Sequence, residues 1–168
     1  MKIFIPNIYV KDIFSINYKK LIKDNYKLII FDLDNTIGNI KEDICDKKTV
    51  DFLNNLNKEI KVIIASNSKK NRVLNFCKDL ECDKYYFCLK PLSKVLSKIK
   101  KKYNINYNEM VIVGDQLLTD IFLGNRKKLL TILVDKKADA DLNITKINRK
   151  IENIIKKKHK LMKGDYYS

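Results

Sequence analysis

His159 is the only histidine in this 168-residue chain and it stands in a lysine run, which sets aside imidazole-based catalysis and a histidine metal site. Cys45, Cys77, Cys82 and Cys88 are scattered without a CxxC pair, so structural zinc lacks its usual ligand spacing and the thiols read as reduced and partly buried. No apolar run approaches the roughly 20 residues of a membrane-spanning helix. Residues 1–15 lack the succession of charged, apolar and small-residue regions that marks a secretion signal, and the expected location is cytoplasmic, with peripheral membrane association left open. Internal repeats and Pro/Ser-rich linkers are missing too. Only Arg72, Arg126 and Arg149 among 35 basic residues are arginine, the better bidentate reader of phosphate and guanine. With four glycines and two prolines, placement is informative: Gly38, Gly114 and Pro91 each lie within a few residues of a strand end carrying Asp, Ser or Lys, which predicts tight turns there.

What remains for chemistry is carboxylate, lysine and hydroxyl. A composition 45% hydrophobic and 33% charged is that of one globular domain with a full core. The net charge of +15 has two readings: a surface for phosphate backbones or anionic lipid headgroups, or a bias of the whole chain, in which asparagine and isoleucine are also abundant. Apolar runs of strand length recur at residues 28–31, 62–65, 85–89, 110–113 and 130–134. Between them, Val50, Leu53 and Leu56, then Val73, Leu74, Phe76, Cys77 and Leu80, then Leu92, Val95, Leu96 and Ile99 repeat at helical spacing. Alternating strands and one-faced helices predict an α/β fold, a parallel sheet covered on both sides.

Three regions are expected: an N-terminal extension (1–26), a core (27–142), and a basic amphipathic helix with a frayed tail (143–168). Phe4, Ile5, Ile8, Tyr9, Ile13 and Phe14 surround Pro6, and Asn17 is placed to cap a short helix through Leu21 and Ile22. At the other end Ile144, Ile147, Ile151, Ile154 and Ile155 form an apolar stripe set among Lys146, Arg149, Lys150 and Lys156 to Lys158. Both ends read first as extra elements packed on the core and second as a membrane-facing pair, an apolar wedge with a basic helix.

The informative residues follow the first core strand. Asp32 and Asp34, with Asn35 and Thr36 behind them, point the same way from an extended segment. Two carboxylates together at an apolar strand end are electrostatically unfavourable unless a cation joins them. Ser66 with Asn67, Lys90 before Pro91, and Asp115 with Asp120 in Gly114-Asp115-Gln116-Leu117-Leu118-Thr119-Asp120 stand at successive strand ends. Ligands in an open α/β sheet bind outside those carboxyl ends.

These four motifs resemble those of the haloacid-dehalogenase-like (HAD) phosphatases, whose fold is a three-layer α/β/α Rossmannoid sheet. A more specific resemblance is to subfamily IIIA and its YqeG family, which is similar to the mitochondrial phosphatidylglycerophosphatases. Phe4-Ile5-Pro6, Tyr9-Val10, Gly114 to Asp120, Gly124-Asn125-Arg126, Thr131 to Val134 and Asn148-Arg149 carry this likeness, from Phe4 to about Ile155. Ser68, Ile37 and Leu123 depart from the family's usual asparagine, leucine and glycine, and none of the three removes a catalytic group.

The residue chemistry fits. Asp32 can attack phosphorus and form an aspartyl phosphate. Asp34 can give a proton to the leaving alkoxide and later take one from water. Mg²⁺ suits an all-oxygen site made by Asp32, Asp115 and the backbone carbonyl of Asp34. Ser66 and Lys90 are expected to bind phosphoryl oxygens, with Asn67 and Thr36 also facing substrate. Asp120 and Gln116 are expected to support, Asp120 by orienting Lys90 or a metal-bound water. The spacings from Ile37 to the second core strand and from Ser68 to Lys90 leave no room for a cap domain. An open site suits a lipid headgroup or a polynucleotide end better than a small metabolite. Resemblance to the mitochondrial branch implies phosphatidylglycerophosphate. The lipid ranks ahead of a nucleic-acid 5′ or 3′ phosphate because arginine is scarce and aromatics suited to stacking are not clustered at the strand ends. A basic RNA- or ribosome-binding protein with a vestigial site is the alternative from another class. Oligomeric state is not legible.

Overall fold

Two runs of apolar side chains, Leu28–Phe31 and Met110–Gly114, lie side by side at the centre of a six-stranded, all-parallel sheet. The computed structural model describes residues 2–137 together with residues 152, 154 and 155. In chain order the elements are β1 (Ile8–Val10), α1 (Tyr18–Lys23), β2 (Leu28–Phe31), α2 (Lys47–Glu59), β3 (Lys61–Ala65), α3 (Lys70–Phe76), β4 (Asp83–Tyr85), α4 (Lys94–Tyr103), β5 (Met110–Gly114), α5 (Phe122–Lys127) and β6 (Leu130–Val134). The spatial order is β1-β6-β5-β2-β3-β4. From β2 the chain moves outward through β3 and β4, then returns to the other side of β2 for β5 and β6. The direction reverses between β2 and β5, where open α/β sheets form their ligand crevice.

Strand alternation divides the core. Ile29, Phe31, Val62, Ile64, Val111 and Val113 face one way, against α1, α2 and α3 through Leu21, Leu53, Leu56, Val73 and Phe76. Leu28, Ile30, Ile63, Ala65, Met110 and Ile112 face the other, against α4 and α5 through Val95, Leu96, Ile99 and Leu123. This is the α/β/α sandwich that the hydrophobic pattern predicts, and no element of a cap interrupts β2 to α2 or α3 to β4. Register aligns Phe31 with Ile64 and with Val113. Asp32, Ser66 and Asp115 therefore emerge along one edge.

Four details differ from expectation. The run at residues 85–89 is not a strand: β4 stops at Tyr85, and Phe87 and Leu89 adopt left-handed φ values of 47° and 53°. Leu92 precedes α4 and is 51% exposed rather than packed. The glycines near the site do not adopt positive φ. Gly38 and Gly114 instead leave room, since a Cβ would collide with the ring of Phe76 and with the carboxyl of Asp120 respectively. Tyr85, Tyr86 and Phe87 also gather at the end of β4, so the strand ends do hold an aromatic cluster.

The N-terminal extension is built into the fold. Ile8–Val10 pairs with Ile132 to Val134 as the edge strand, and Ile13 and Leu21 are fully buried. Phe4 stacks on Phe122 at 4.9 Å and Phe14 meets Phe52 at 5.0 Å. Asn125 Nδ2 donates to the carbonyls of Ile3 and Ile5 at 2.8 Å each. Asn17 caps α1 by accepting from the Lys20 N–H at 3.0 Å. The side chains of Ile8, Val10, Ile13 and Leu21 thus belong to the core. Most of the predicted basic helix and all of the tail lie outside the described residues. Among those described, Ile155 packs on Leu117, Ile121 and Leu133, and Glu152 accepts from the Leu118 N–H at 3.1 Å.

Since Ile13 has no exposed surface, Ile13→Ala is expected to cost about 2–5 kcal/mol, the range for a buried isoleucine cut to alanine. Urea denaturation followed by circular dichroism measures it, and a cost below about 1 kcal/mol would make this segment peripheral.

Candidate active site

The end of β2 carries Asp32, whose N–H donates to Val113 O on β5 at 2.9 Å. Its Oδ1 lies 2.5 Å from Lys90 Nζ, and the same ammonium lies 2.7 Å from Asp120 Oδ1. Asp32, Asp115 and Asp120 bring one carboxylate oxygen each to within 4.8 Å of one another, all buried. Two of these three carboxyls share the Lys90 ammonium, and all four side chains are buried. Burial pushes the Asp32 carboxyl up to about 8; the Lys90 ammonium pulls it back, and Asp120 and Asp115 add to the rise. Burial pulls the Lys90 ammonium down, but Asp120 and Asp32 more than reverse this and leave it above its ordinary value. An all-oxygen, buried, negatively weighted cluster is a donor set for a hard divalent cation.

Each loop has a local reason for its shape. After β2 the chain turns at once, with the N–H groups of Thr36, Ile37 and Gly38 all directed at Leu33 O and Asn35 N–H bonded to Gly38 O at 2.7 Å. Asn35 holds the left-handed position at φ 66°, which asparagine tolerates. Thr36 Oγ1 reaches Asp115 Oδ1 at 3.4 Å, so it steadies a carboxylate across the crevice. Asn67 brackets Lys90: its Oδ1 accepts from Lys90 N–H at 2.7 Å and its Nδ2 donates to Lys90 O at 3.0 Å. Its amide positions that loop. Ser66 Oγ accepts from the Ser68 N–H at 3.1 Å, which leaves its own O–H to donate. Gln116 contributes its carbonyl, which accepts from the N–H groups of Asp120 and Ile121 at 3.2 and 3.3 Å and winds the turn that returns Asp120 to Lys90.

The Asp34 carboxyl is not part of the acidic cluster. Its Oδ2 accepts from Ser68 Oγ at 2.5 Å, and its Oδ1 accepts from Arg72 Nε and Nη2 at 3.2 and 2.9 Å. Arg72 also donates to the carbonyls of Asn39, at 3.1 Å, and Glu42. One guanidinium thereby ties the carboxylate to the loop between β2 and α2. Neither Arg72 nor Ser68 stands out by motif spacing. The available signal for Arg72 was its identity, an arginine in a chain that otherwise supplies lysine.

The chain is similar to known proteins. A haloacid dehalogenase-like hydrolase family model matches residues 29–90 and a HAD-hydrolase-like model matches residues 87–157. The probable phosphatase YqeG of Bacillus subtilis is 36% identical over 155 residues, which cover 92% of this chain and 90% of that protein. Among solved structures, a predicted HAD-like family hydrolase from Porphyromonas gingivalis superposes with a TM-score of 0.55 at 10% identity, over 74% of this chain and 98% of that one.

Linkage gives the site a pH signature. With a folded value of about 8 against an ordinary 3.8, Asp32 holds its proton more tightly folded than unfolded, so its contribution to stability is lost as pH rises through that window. In chelator, the thermal midpoint is expected to fall between pH 5 and pH 8, and Asp32→Asn is expected to raise it at pH 8 by at least ~3 °C. An unchanged pH slope in the variant would remove Asp32 as the source. The four strand-end motifs, their meeting at the crevice and the full-length likeness to YqeG together make this chain a member of the haloacid-dehalogenase-like hydrolases, a HAD-type phosphatase homologous to YqeG.

Proposed function

We propose that the chain hydrolyses the phosphomonoester of phosphatidylglycerophosphate to give phosphatidylglycerol, through an aspartyl phosphate on Asp32 and with Mg²⁺ as the cation. The observation behind the reaction type is the quartet Asp32, Lys90, Asp115 and Asp120. Asp32, Asp115 and the backbone carbonyl of Asp34 would hold Mg²⁺, which when bound supplies the positive charge that keeps Asp32 ionised near neutral pH and draws charge from the phosphoryl oxygens.

Asp32 attacks phosphorus, and its new P–O bond replaces the bond to the lipid alkoxide. Lys90 and the Ser66 hydroxyl take up the equatorial oxygens, where charge collects in the transition state. Asp34 supplies the proton for the leaving oxygen and regains one from the water that cleaves the aspartyl phosphate. As it stands, Asp34 is an acceptor on both oxygens, toward Ser68 and Arg72, the arrangement of a base. To deliver a proton it turns from Arg72 toward Asp32. The lipid reading rests on the missing cap between β2 and α2, which leaves the site to be closed by the surface that carries the substrate.

Turnover of phosphatidylglycerophosphate in anionic vesicles, of end-phosphorylated oligonucleotides and of a generic aryl phosphate, each with Mg²⁺ and with chelator, separates the readings. The lipid is expected to be the best substrate, with Asp32→Asn inactive on all three. Turnover confined to oligonucleotides would eliminate the lipid, Asp32→Asn with full activity would remove Asp32 as the nucleophile, and no turnover of any of the three by wild type would favour a vestigial site in a nucleic-acid-binding protein.

Asp34→Asn is expected to lower kcat by about 10²–10⁴, more on the lipid alkoxide than on the aryl phosphate, whose leaving group needs less protonation. Arg72→Ala is expected to lower kcat roughly tenfold with KM nearly unchanged, because it frees the carboxylate without removing it. In the double variant Arg72→Ala adds nothing to the loss from Asp34→Asn. Additive losses would make Arg72 a structural residue only.

A further inference from the structure

We infer that the loop from Tyr86 to Leu92 is an apolar lip that docks the protein on an anionic bilayer beside the active site, an inference that rests on the lipid reading above. Of the large apolar side chains exposed among the described residues, four fall in this one loop: Tyr86, Phe87, Leu89 and Leu92, at 37, 54, 60 and 51% exposure. Clustered exposed apolar groups of this size mark contact surfaces. Their direction is imposed by the catalytic lysine. Along residues 87–90 exposure alternates, with Phe87 and Leu89 outward and Cys88 and Lys90 inward.

The loop is held in that register from both sides. Phe87 N–H bonds to Ser68 O and Cys88 N–H to Ser66 O, both at 3.1 Å, and Asn67 brackets Lys90. Phe87 and Leu89 stay in the left-handed region, which is strained for bulky side chains and persists only where the surroundings impose it. With Lys90 buried against Asp32 and Cys88 inward, Phe87 and Leu89 point outward.

Charge identifies the partner. From Tyr85 to Asn108 the sequence contains lysine but no Asp or Glu. Lys94 and Lys98 line the same recess as Tyr86, Phe87, Leu89 and Leu92, and Lys70 Nζ sits 5.8 Å from the centroid of the Tyr86 ring. Apolar side chains rimmed by lysine fit the acyl boundary and headgroups of an anionic membrane. A single-stranded nucleic acid fits less well. Tyr86 and Phe87 meet edge-on at 77° and form no flat platform, and Leu89 and Leu92 offer bases no π-face.

The test is co-sedimentation of the full chain with phosphatidylglycerol–phosphatidylcholine vesicles and with phosphatidylcholine alone, for wild type and for the double variant Phe87→Asn, Leu89→Asn. Asparagine accepts the left-handed backbone, so the variant is expected to melt no lower than wild type and to hydrolyse a soluble aryl phosphate at the wild-type rate. Wild type is expected to bind neutral vesicles on the order of 100-fold more weakly than anionic ones. The double variant is expected to bind anionic vesicles about 30-fold more weakly than wild type, through loss of two half-exposed apolar groups. Equal binding by variant and wild type overturns the inference. So does wild type that binds no vesicles, or that binds single-stranded oligonucleotides through the same two side chains. Lip-dependent vesicle binding without turnover of phosphatidylglycerophosphate would refute the substrate and leave the docking surface standing, while lipid turnover with lip-independent binding would do the reverse.

Discussion

Crowding of like charge is the constraint from which the site's architecture follows. Asp32, Asp115 and Asp120 reach within 4.8 Å of one another away from water, and the Lys90 ammonium holds two of them. Buried pairs of this kind contribute little net stability, because desolvation offsets most of the attraction, but removing the shared lysine, which would leave the carboxyls buried without a cation, is costly. The neighbouring choices serve that geometry. Gly114 has no Cβ because the Asp120 carboxyl occupies the space one would fill. Asn67 gives both ends of its amide to the backbone of Lys90. Phe87 and Leu89 accept left-handed backbone so that Lys90 points inward. A structure optimised for stability alone would not carry this set, which is the signature expected of a functional site.

The sheet centre was legible because its signal is local and redundant. Each central strand is an unbroken apolar run, and α2 and α4 bury Val50, Leu53 and Leu56, and Val95, Leu96 and Ile99, on the faces that their spacing predicts. Legibility ended where pairing is short or long-range. Ile8–Val10 is a three-residue strand whose partner β6 lies at the far end of the core, and nothing within the segment distinguishes it from an apolar extension. The run ending at Leu89 looks like a strand by composition. It leaves the sheet because Lys90 must turn inward.

The acidic residues of the site could be read from their motifs, but their partners could not. Asp34 and Arg72 are 38 residues apart, on elements that the sequence does not show to be adjacent, and an arginine at the start of a helix has many uses. Asn67 and Thr36 are read from sequence only as neighbours of catalytic groups, and the sequence does not show that they hydrogen-bond Lys90 and Asp115. Polar residues one position from a reactive group are as often occupied in holding it as in touching what it acts on.

Charge in this protein has an inside and an outside that oppose each other. The chain carries a formal +15, yet the crevice between β2 and β5 concentrates carboxyls. A phosphate dianion approaching the crevice alone meets repulsion, which a cation held by Asp32 and Asp115 would reverse. At longer range the lysines dominate, and attraction toward a negatively charged surface extends about a Debye length, roughly 10 Å at 0.1 M salt. On the lipid reading proposed above, the two ranges would divide the labour. Surface lysine would bring the protein to an anionic array, and the buried quartet would discriminate at contact. Discrimination of that kind would make a general lysine bias tolerable around an acidic site, since the surface charge would select the class of surface and leave the choice of bond to Asp32 and Lys90.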